Sequence, residues 1–349
     1  WTCPFLKEAR FMYSPAGSTR ILRAFAAALV LLSCAGVTEY DLNWQSSLRV
    51  YSPSDLSLIA SYPEMTSPRS MMITPGMVFV ASTEGVVYAF DSQTRELLGE
   101  HVVGAPSASG YSAMVHSPSE GTAYLAGTTG MILELSLPDC QVIDEFSVCS
   151  SPFDLAVSNG FHGYLWIADA SSNTIFQVKL SDNSLAGQKA FLETEIIQCI
   201  EPIWSSDSIM VGTSSLVYRV WNSGSGGLVR TFLTDAMGSF STLDAIVNTL
   251  QLTAVMDSRL GVLYPFAYDT IPPEPSFRKF VQIEGSLHRA GDAGDGQHTF
   301  ALTYLGDLTC RLWKYFYVGS GEILFSSDIP GYPLDMQVSG GGDIYVLSY

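Results

Sequence analysis

Cations are scarce in this chain: 17 lysines and arginines stand against 34 aspartates and glutamates over 349 residues, a formal net charge of −17. A surface of that sign repels phosphate backbones and anionic headgroups, which argues against nucleic acid as a partner and leaves cations and basic partners open. Histidine is rare too, with five residues, and those at 101, 116, 162 and 298 have no metal-ligand spacing. HExxH, CxxC and GxSxG are all missing, so a zinc hydrolase, a dithiol redox site and a serine nucleophile have no visible support. No apolar run reaches the roughly 20 residues that a spanning helix needs. What the chain has instead is 47% hydrophobic residues, enough for a sizeable core, with only 15% charged residues and abundant serine, threonine and glycine. That balance is typical of an extracytoplasmic β protein rather than a cytosolic helical enzyme.

The stretch RILRAFAAALVLLSCAG, 20–36, sets two arginines before the apolar run 24–32, followed by Ser33 and Cys34. This is the layout of a secretory signal. LLSC, 31–34, resembles the lipobox of bacterial lipoproteins, with Leu32 where a smaller residue is usual. The resemblance implies lipidation at Cys34 and a membrane-anchored protein of the bacterial cell envelope, periplasmic or surface-facing. An ordinary cleaved signal and an uncleaved anchor remain as alternatives. Residues 1–11 precede Met12 and read as upstream read-through. The expected organisation is therefore 1–34 as upstream and signal segment, 35–43 as tether, and 44–349 as the folded part.

A phrase repeats through that folded part. GMVFVASTEGVVYAFDSQTRELLGEHVV, from Gly76, is a strand, a glycine turn, an alternating strand, a polar turn and a third strand. It recurs from Gly121, Gly163 and Ser208, and more loosely from Leu250 and His298. The period is about 41 to 48 residues, the spacing of a four-stranded propeller blade. Short period-two strands with regular turn signals exclude a helical solenoid. A further strand precedes each unit, as in SPFDLAVS from Ser151. The C-terminal YPLDMQVSGGGDIYVLSY supplies two strands of a seventh unit, and LRVYSPSDLSLIASYP, 48–63, reads as its two outer strands. The expectation is an all-β, seven-bladed β-propeller of four-stranded blades, its last blade closed by the N-terminal strands so that no edge is left free.

GYLWIADASSNTIFQVKL resembles the repeat phrase of NHL and YVTN propellers, and GMVFVASTEGVVYAFD resembles a quinoprotein-type repeat. The likeness covers nearly all of 44–349, and its motifs specify fold rather than activity. The Gly-His and Trp-Asp pairs of WD40 repeats are absent, as is the tryptophan docking motif of quinoprotein dehydrogenases, which counts against a bound quinone.

In such a fold the innermost strand of each blade borders a central channel. Aligning RSMMIT, YSAMVH, FDLAVS, IEPIWS, LDAIVN, LHRAGD and LDMQVS puts Ser70, Ser112, Asp154, Glu201, Asp244, His288 and Asp335 at one level near its mouth. Converging acids need a cation, a shared proton or private hydrogen bonds. Three outcomes are open: backbone amides that satisfy each acid in its own turn; a divalent ion, calcium before zinc, on Asp154, Glu201, Asp244 and Asp335; or an organic cation or basic peptide. The expected function is a monomeric ligand- or protein-binding platform whose partner is an envelope protein or a small ligand, bound through loops that start at Ser82, Gly127, Asp169 and Met256. The alternatives are a metal-dependent lyase or lactonase with His288 as general base, and an envelope-assembly scaffold. GDAGDGQ, 291–297, is superficially like a calcium loop but reads as a glycine-rich turn. Recurrent aromatics on the third strands, including Tyr88, Phe90, Tyr218, Trp221, Trp313 and Tyr315, read as packing between blades. Among the cysteines, Cys149 and Cys199 lie close enough in the repeat for a disulfide to be conceivable, with free thiols as the alternative.

Overall fold

A computed structural model describes residues 46–63, 65–104, 111–158, 163–203, 207–214, 216–224, 227–234, 240–245, 252–257, 262–267, 276–277, 281–293, 297–316 and 322–349; from 231 to 282, and at 292, only the backbone is described. The chain divides into Trp1–Trp44 and Gln45–Tyr349, and the expected signal, tether and lipidation site at Cys34 lie outside the described residues.

Gln45–Tyr349 is all-β. Its strands form six four-stranded sheets and one of five strands, every pairing antiparallel, as in Tyr164–Asp169 against Thr174–Lys179. Numbered by the chain position of their leading strands, the sheets begin with Pro68–Thr74, Tyr111–Ser117, Pro152–Ser158, Ile197–Pro202, Phe240–Ala245, Ser286–Asp292 and Pro333–Val338. Sheets 1 to 4 and sheet 6 run in simple chain order. In sheet 5 the third strand, Val262–Ala267, pairs with both short pieces Ser276–Phe277 and Val281–Gln282. In sheet 7 the C-terminal strand Ile344–Ser348 pairs with Pro333–Val338 on one side and with Ser47–Tyr51 on the other, which in turn pairs with Leu58–Ser61.

Burial follows strand position. The second strands, such as MVFVAS and YLWIAD, are covered on both faces and are almost wholly buried, which is why they read as continuous apolar runs rather than alternating ones. The fourth strands are the exposed ones; Leu98, at 56% exposure, is an example. The core lies in the seams between sheets. Phe79, Ala81 and Ala89 of sheet 1 pack on Leu125, Leu133 and Leu135 of sheet 2. Leu48, Tyr345 and Leu347 of sheet 7 pack on Met71, Val80 and Phe90 of sheet 1. Burying a side chain of this size stabilises by about 1.5–3 kcal/mol. The aromatics Tyr88, Phe90, Tyr218, Trp313 and Tyr315 are buried in or beside these seams, while Trp221 is half-buried under the Arg219 guanidinium, 5.5 Å from the ring centre.

The leading strands contact one another in succession, from Pro68–Thr74 through to Pro333–Val338, and that last strand contacts the first. Each carries a β-bulge near its start: two of its residues span the interval of one on the partner strand, for example between Pro152 and Asp154 and between Pro333 and Asp335. A bulge of this kind re-aims the side chains that follow it, and it determines which residues share a level along the channel.

Candidate functional site

The bulges give the common register. Ser70 stands opposite Ala81, Ala113 opposite Ala126, Asp154 opposite Ala168, Cys199 opposite Gly212, Thr242 opposite Met256, Arg289 opposite Leu302 and Asp335 opposite Leu347. Of the expected ring, therefore, Ser70, Asp154 and Asp335 share a level and four residues do not. Ser112 and His288 occupy the bulge itself, one residue earlier. Glu201 stands opposite Met210 and Asp244 opposite Ala254, one pleat further along; the Asp244 side chain lies outside the described residues. In place of four acids and a histidine, the level holds two aspartates, an arginine, a serine, a cysteine, a threonine and an alanine.

Apart from Thr242, whose side chain lies outside the described residues, these residues line a cavity of about 460 Å³, together with Glu201 and Gln337. Asp335 is 5% exposed. Its Oδ1 accepts from the Met336 amide at 2.9 Å and from Arg289 Nε at 3.0 Å, and its Oδ2 accepts from the Met71 amide, in sheet 1, at 3.0 Å. Asp154 repeats the device: Oδ1 accepts from the Leu155 amide at 3.0 Å and Oδ2 from the Ile200 amide, in sheet 4, at 2.9 Å. Each carboxylate thus ties its own strand to the leading strand of the next sheet. Ser112 does the reverse, donating to the Pro152 carbonyl at 2.8 Å.

Electrostatics separates these groups. Burial pushes the Asp154 carboxyl up to about 6, against the opposing pull of Arg289 and of the two amides. Burial alone would lower the Arg289 pKa, but Asp335 and Asp154 outweigh it and hold the guanidinium charged. The arginine keeps 39% of its side chain exposed and lines the cavity. Burial, with Asp154 beside it, raises the Cys199 thiol far above its ordinary value, so it is a protonated thiol and a poor nucleophile. Cys140, Cys149, Cys199 and Cys310 are all free; the conceivable Cys149–Cys199 bridge is absent.

His288 does not line the cavity. Its Nε2–H donates to the Leu334 carbonyl at 2.9 Å, and its ring packs edge-on against Tyr332, 6.1 Å between centres. Burial and then Arg289 press its pKa below the usual 6.5, so it is a neutral link between sheets 6 and 7. Among the described residues no group of three or more His, Cys, Asp or Glu is arranged to hold a metal, and the oxygens of Asp154 and Asp335 are already occupied by amides. In the 291–297 stretch, Gly291 lines the cavity and 294–296 lie outside the described residues.

The loop that starts at Asp169 is stiffened from within. Its buried carboxylate accepts from the Ser151 amide at 2.6 Å, the Ser172 amide at 2.8 Å and the hydroxyls of Ser171 and Ser172 at 2.7 and 2.6 Å. Burial would raise this group, but those bonds outweigh it and hold it below the ordinary carboxylate range. What sequence reasoning missed is Arg289. The signal available was its rarity as a cation inside a leading strand, LHRAGD, where neighbouring strands are neutral or acidic.

No family model matches the chain, and no curated relative matches it. Solved structures do resemble it. The Myceliophteria thermophila Cps50 (Swd1) β-propeller domain is 12% identical, with a TM-score of 0.66, covering 82% of this chain and 97% of that one. The RRP9 WD40 repeats are 12% identical, with a TM-score of 0.65 and coverages of 86% and 97%. The structure of U3-55K is 12% identical, with a TM-score of 0.63 and coverages of 87% and 98%. The fold is therefore a β-propeller. At this identity the likeness speaks to fold alone.

Proposed function

We propose that this chain is a seven-bladed β-propeller, closed by its N-terminal strands, that serves as a protein-binding platform with the partner docked on the channel mouth. The observation that carries this reading is the composition of the mouth: a cavity whose wall is rigidly stitched by Asp335 and Asp154 yet presents an exposed charged group, Arg289, with hydrogen-bonding capacity to spare. A stiff frame that offers unspent polar groups suits recognition. Closure is supported by the seam of Leu48, Tyr345 and Leu347 on Met71 and Val80, and by the Met71–Asp335 bond. A chain of similar fold, 12% identical with a TM-score of 0.62, belongs to a solved Mitotic Checkpoint Complex, which supports a role in protein assembly. The repeat phrases favour an NHL/YVTN-like subtype. The 20–36 segment favours export and lipid attachment at Cys34 in a bacterial envelope, where an assembly scaffold is the form such a platform would take. The binding residues in this reading are Ser70, Ser112, Asp154, Glu201, Asp244, His288 and Asp335, lining or backing the mouth, with Arg289 added.

The test is site-specific photo-cross-linking in the native host. A photoreactive residue at Glu201, which lines the cavity, is expected to trap a discrete partner, and one at Leu98, on the exposed outer strand of sheet 1, is not. Trapping from Leu98 alone would sink the mouth as the docking face.

A further inference from the structure

We infer that the channel cavity is a binding site for a primary ammonium on an alkyl stem, held by Asp154 and Glu201 and flanked by Met72, Val115 and Ala156. A lysine side chain of a protein partner and a free alkylamine share this chemistry. The lysine source rests on the platform reading, and the ammonium site itself does not.

Charge sets the sign of the ligand. Among the described residues that line the cavity, Asp154, Glu201 and Asp335 are acidic and Arg289 is the one cation. His116 also lines it, and burial lowers its pKa, so it is neutral. Arg289 is ion-paired with Asp335 through Nε at 3.0 Å, which leaves the other two carboxylates in excess. Those two are neighbours: Asp154 Oδ2 accepts from the Ile200 amide at 2.9 Å, and Glu201 is the next residue, one pleat beyond Cys199 on the same strand. Asp154 takes only backbone donors among the described residues, one on each oxygen, and a carboxylate has about four acceptor positions.

The unspent polar groups point the same way. Ser70 is 7% exposed and lines the cavity, yet its hydroxyl makes no hydrogen bond among the described residues. Gln337 donates Nε2 to the Met71 carbonyl at 2.8 Å, so the end it has left is its own carbonyl oxygen. Polar groups without partners are costly in a buried wall, and a ligand rich in N–H donors relieves them. An ammonium suits this wall better than a guanidinium, because its three donors spread over separate acceptors. The fork of an arginine needs two open oxygens side by side, and each oxygen of Asp154 already faces an amide. Met72, Val115 and Ala156 stand at the same pleat as Glu201 on the leading strands of sheets 1, 2 and 3, and all three line the cavity. They give the methylenes of the stem an apolar surface while its charged end meets the acids.

The experiment is titration calorimetry of the full chain at pH 8, above the Asp154 value of about 6. The ligands are the acetylated, amidated peptide Gly-Ser-Lys-Ser-Gly and its counterparts carrying norleucine or acetyl-lysine in place of Lys. The lysine peptide is expected to bind about tenfold more tightly than either, an advantage that shrinks in about 0.5 M salt. Butylamine separates the two sources: affinity equal to that of the lysine peptide assigns the site to a free amine, and clearly weaker affinity assigns it to a partner's lysine. In Glu201→Gln the preference for the lysine peptide is expected to fall to about twofold or less, and Glu201→Asp restores most of it, both read on chains that melt as the wild type does. Equal binding of the three peptides by the folded wild type, no binding of either the lysine peptide or butylamine, or an undiminished preference in Glu201→Gln would each overturn the inference. A partner trapped by the photoreactive residue at Glu201, with no lysine preference in the wild type, would leave the platform reading standing while the ammonium site falls.

Discussion

Removing the Asp335 carboxylate is the perturbation whose cost the structure determines most directly. In Asp335→Ala the amides of Met71 and Met336 lose their acceptors, and Arg289 loses the partner of its Nε. An unsatisfied buried N–H costs about 1–3 kcal/mol, and breaking a buried ion pair from one side costs about 3–5 kcal/mol. The second figure is discounted here, because Arg289 is 39% exposed and recovers hydration from the cavity, and water reaches some of the freed amides. The expected loss is about 3–5 kcal/mol in all, read as a shift of the urea midpoint at unchanged slope. Asp335→Asn is expected to cost nearly as much, since one of its two acceptors becomes a donor facing an amide or a guanidinium. A double-mutant cycle with Arg289→Leu isolates the pair, with a coupling of about 1–2 kcal/mol. A loss below about 1 kcal/mol for Asp335→Ala would refute the claim that this carboxylate holds sheets 6, 7 and 1 together.

Three further outcomes are expected. Asp154 has a folded pKa of about 6, above the ordinary 3.8, in the company of Arg289, Asp335 and Cys199; the folded state takes up the extra proton. Its contribution to stability is therefore full below pH 4 and lost as pH rises through 6, by up to about 3 kcal/mol. The difference in urea midpoint between wild type and Asp154→Asn should change across that window, and a flat difference would contradict the burial argument. Cys149, pushed up to about 12 by burial and by Asp169, and Cys199 should resist alkylation at pH 8 in the folded protein and react once it unfolds, as peptide mass mapping would report; fast native labelling of Cys199 would show the wall to be open. Gly331 has φ +116°, and an added Cβ would sit 1.9 Å from the Tyr349 carbonyl oxygen. Gly331→Ala should cost at least about 2 kcal/mol in thermal or urea unfolding, and a neutral substitution would mean that Tyr349 is not seated there.

Much of the fold was legible because the repeat is carried by its buried second strands: MVFVAS, TAYLAG, YLWIAD and SIMVGT are covered on both faces, so their apolar runs survive in sequence. The site was legible in part. Ser70, Asp154 and Asp335 follow their bulges at the same distance, and alignment on the apolar residues found them. Ser112, Glu201, Asp244 and His288 slipped by one or two residues because the bulge position is unconstrained in polarity: it holds Arg69 in one strand, Phe153 in another and Gln198 in a third. Period-two reading does not carry across an inserted residue. The slip hid Arg289, the counter-ion of Asp335 at that level. Nor could the sequence reveal that Asp154 and Asp335 reach the next sheet's backbone, since the amides of Ile200 and Met71 are distant in the chain and near only in the fold.

The account's central claim is that one continuous wall of leading strands frames the mouth, its last sheet sealed where the N-terminal strand Ser47–Tyr51 joins the C-terminal strand Ile344–Ser348. Ser47 and Ser348 are directly paired across the strands that make this seal, with hydroxyl oxygens 3.4 Å apart, a spacing that suits a disulfide. In the variant Ser47→Cys with Ser348→Cys, mild oxidation is predicted to give a near-complete intramolecular bridge, mapped by mass spectrometry, and a rise in resistance to urea. Thiols that stay reduced under native conditions, or that join only between two molecules, would contradict it.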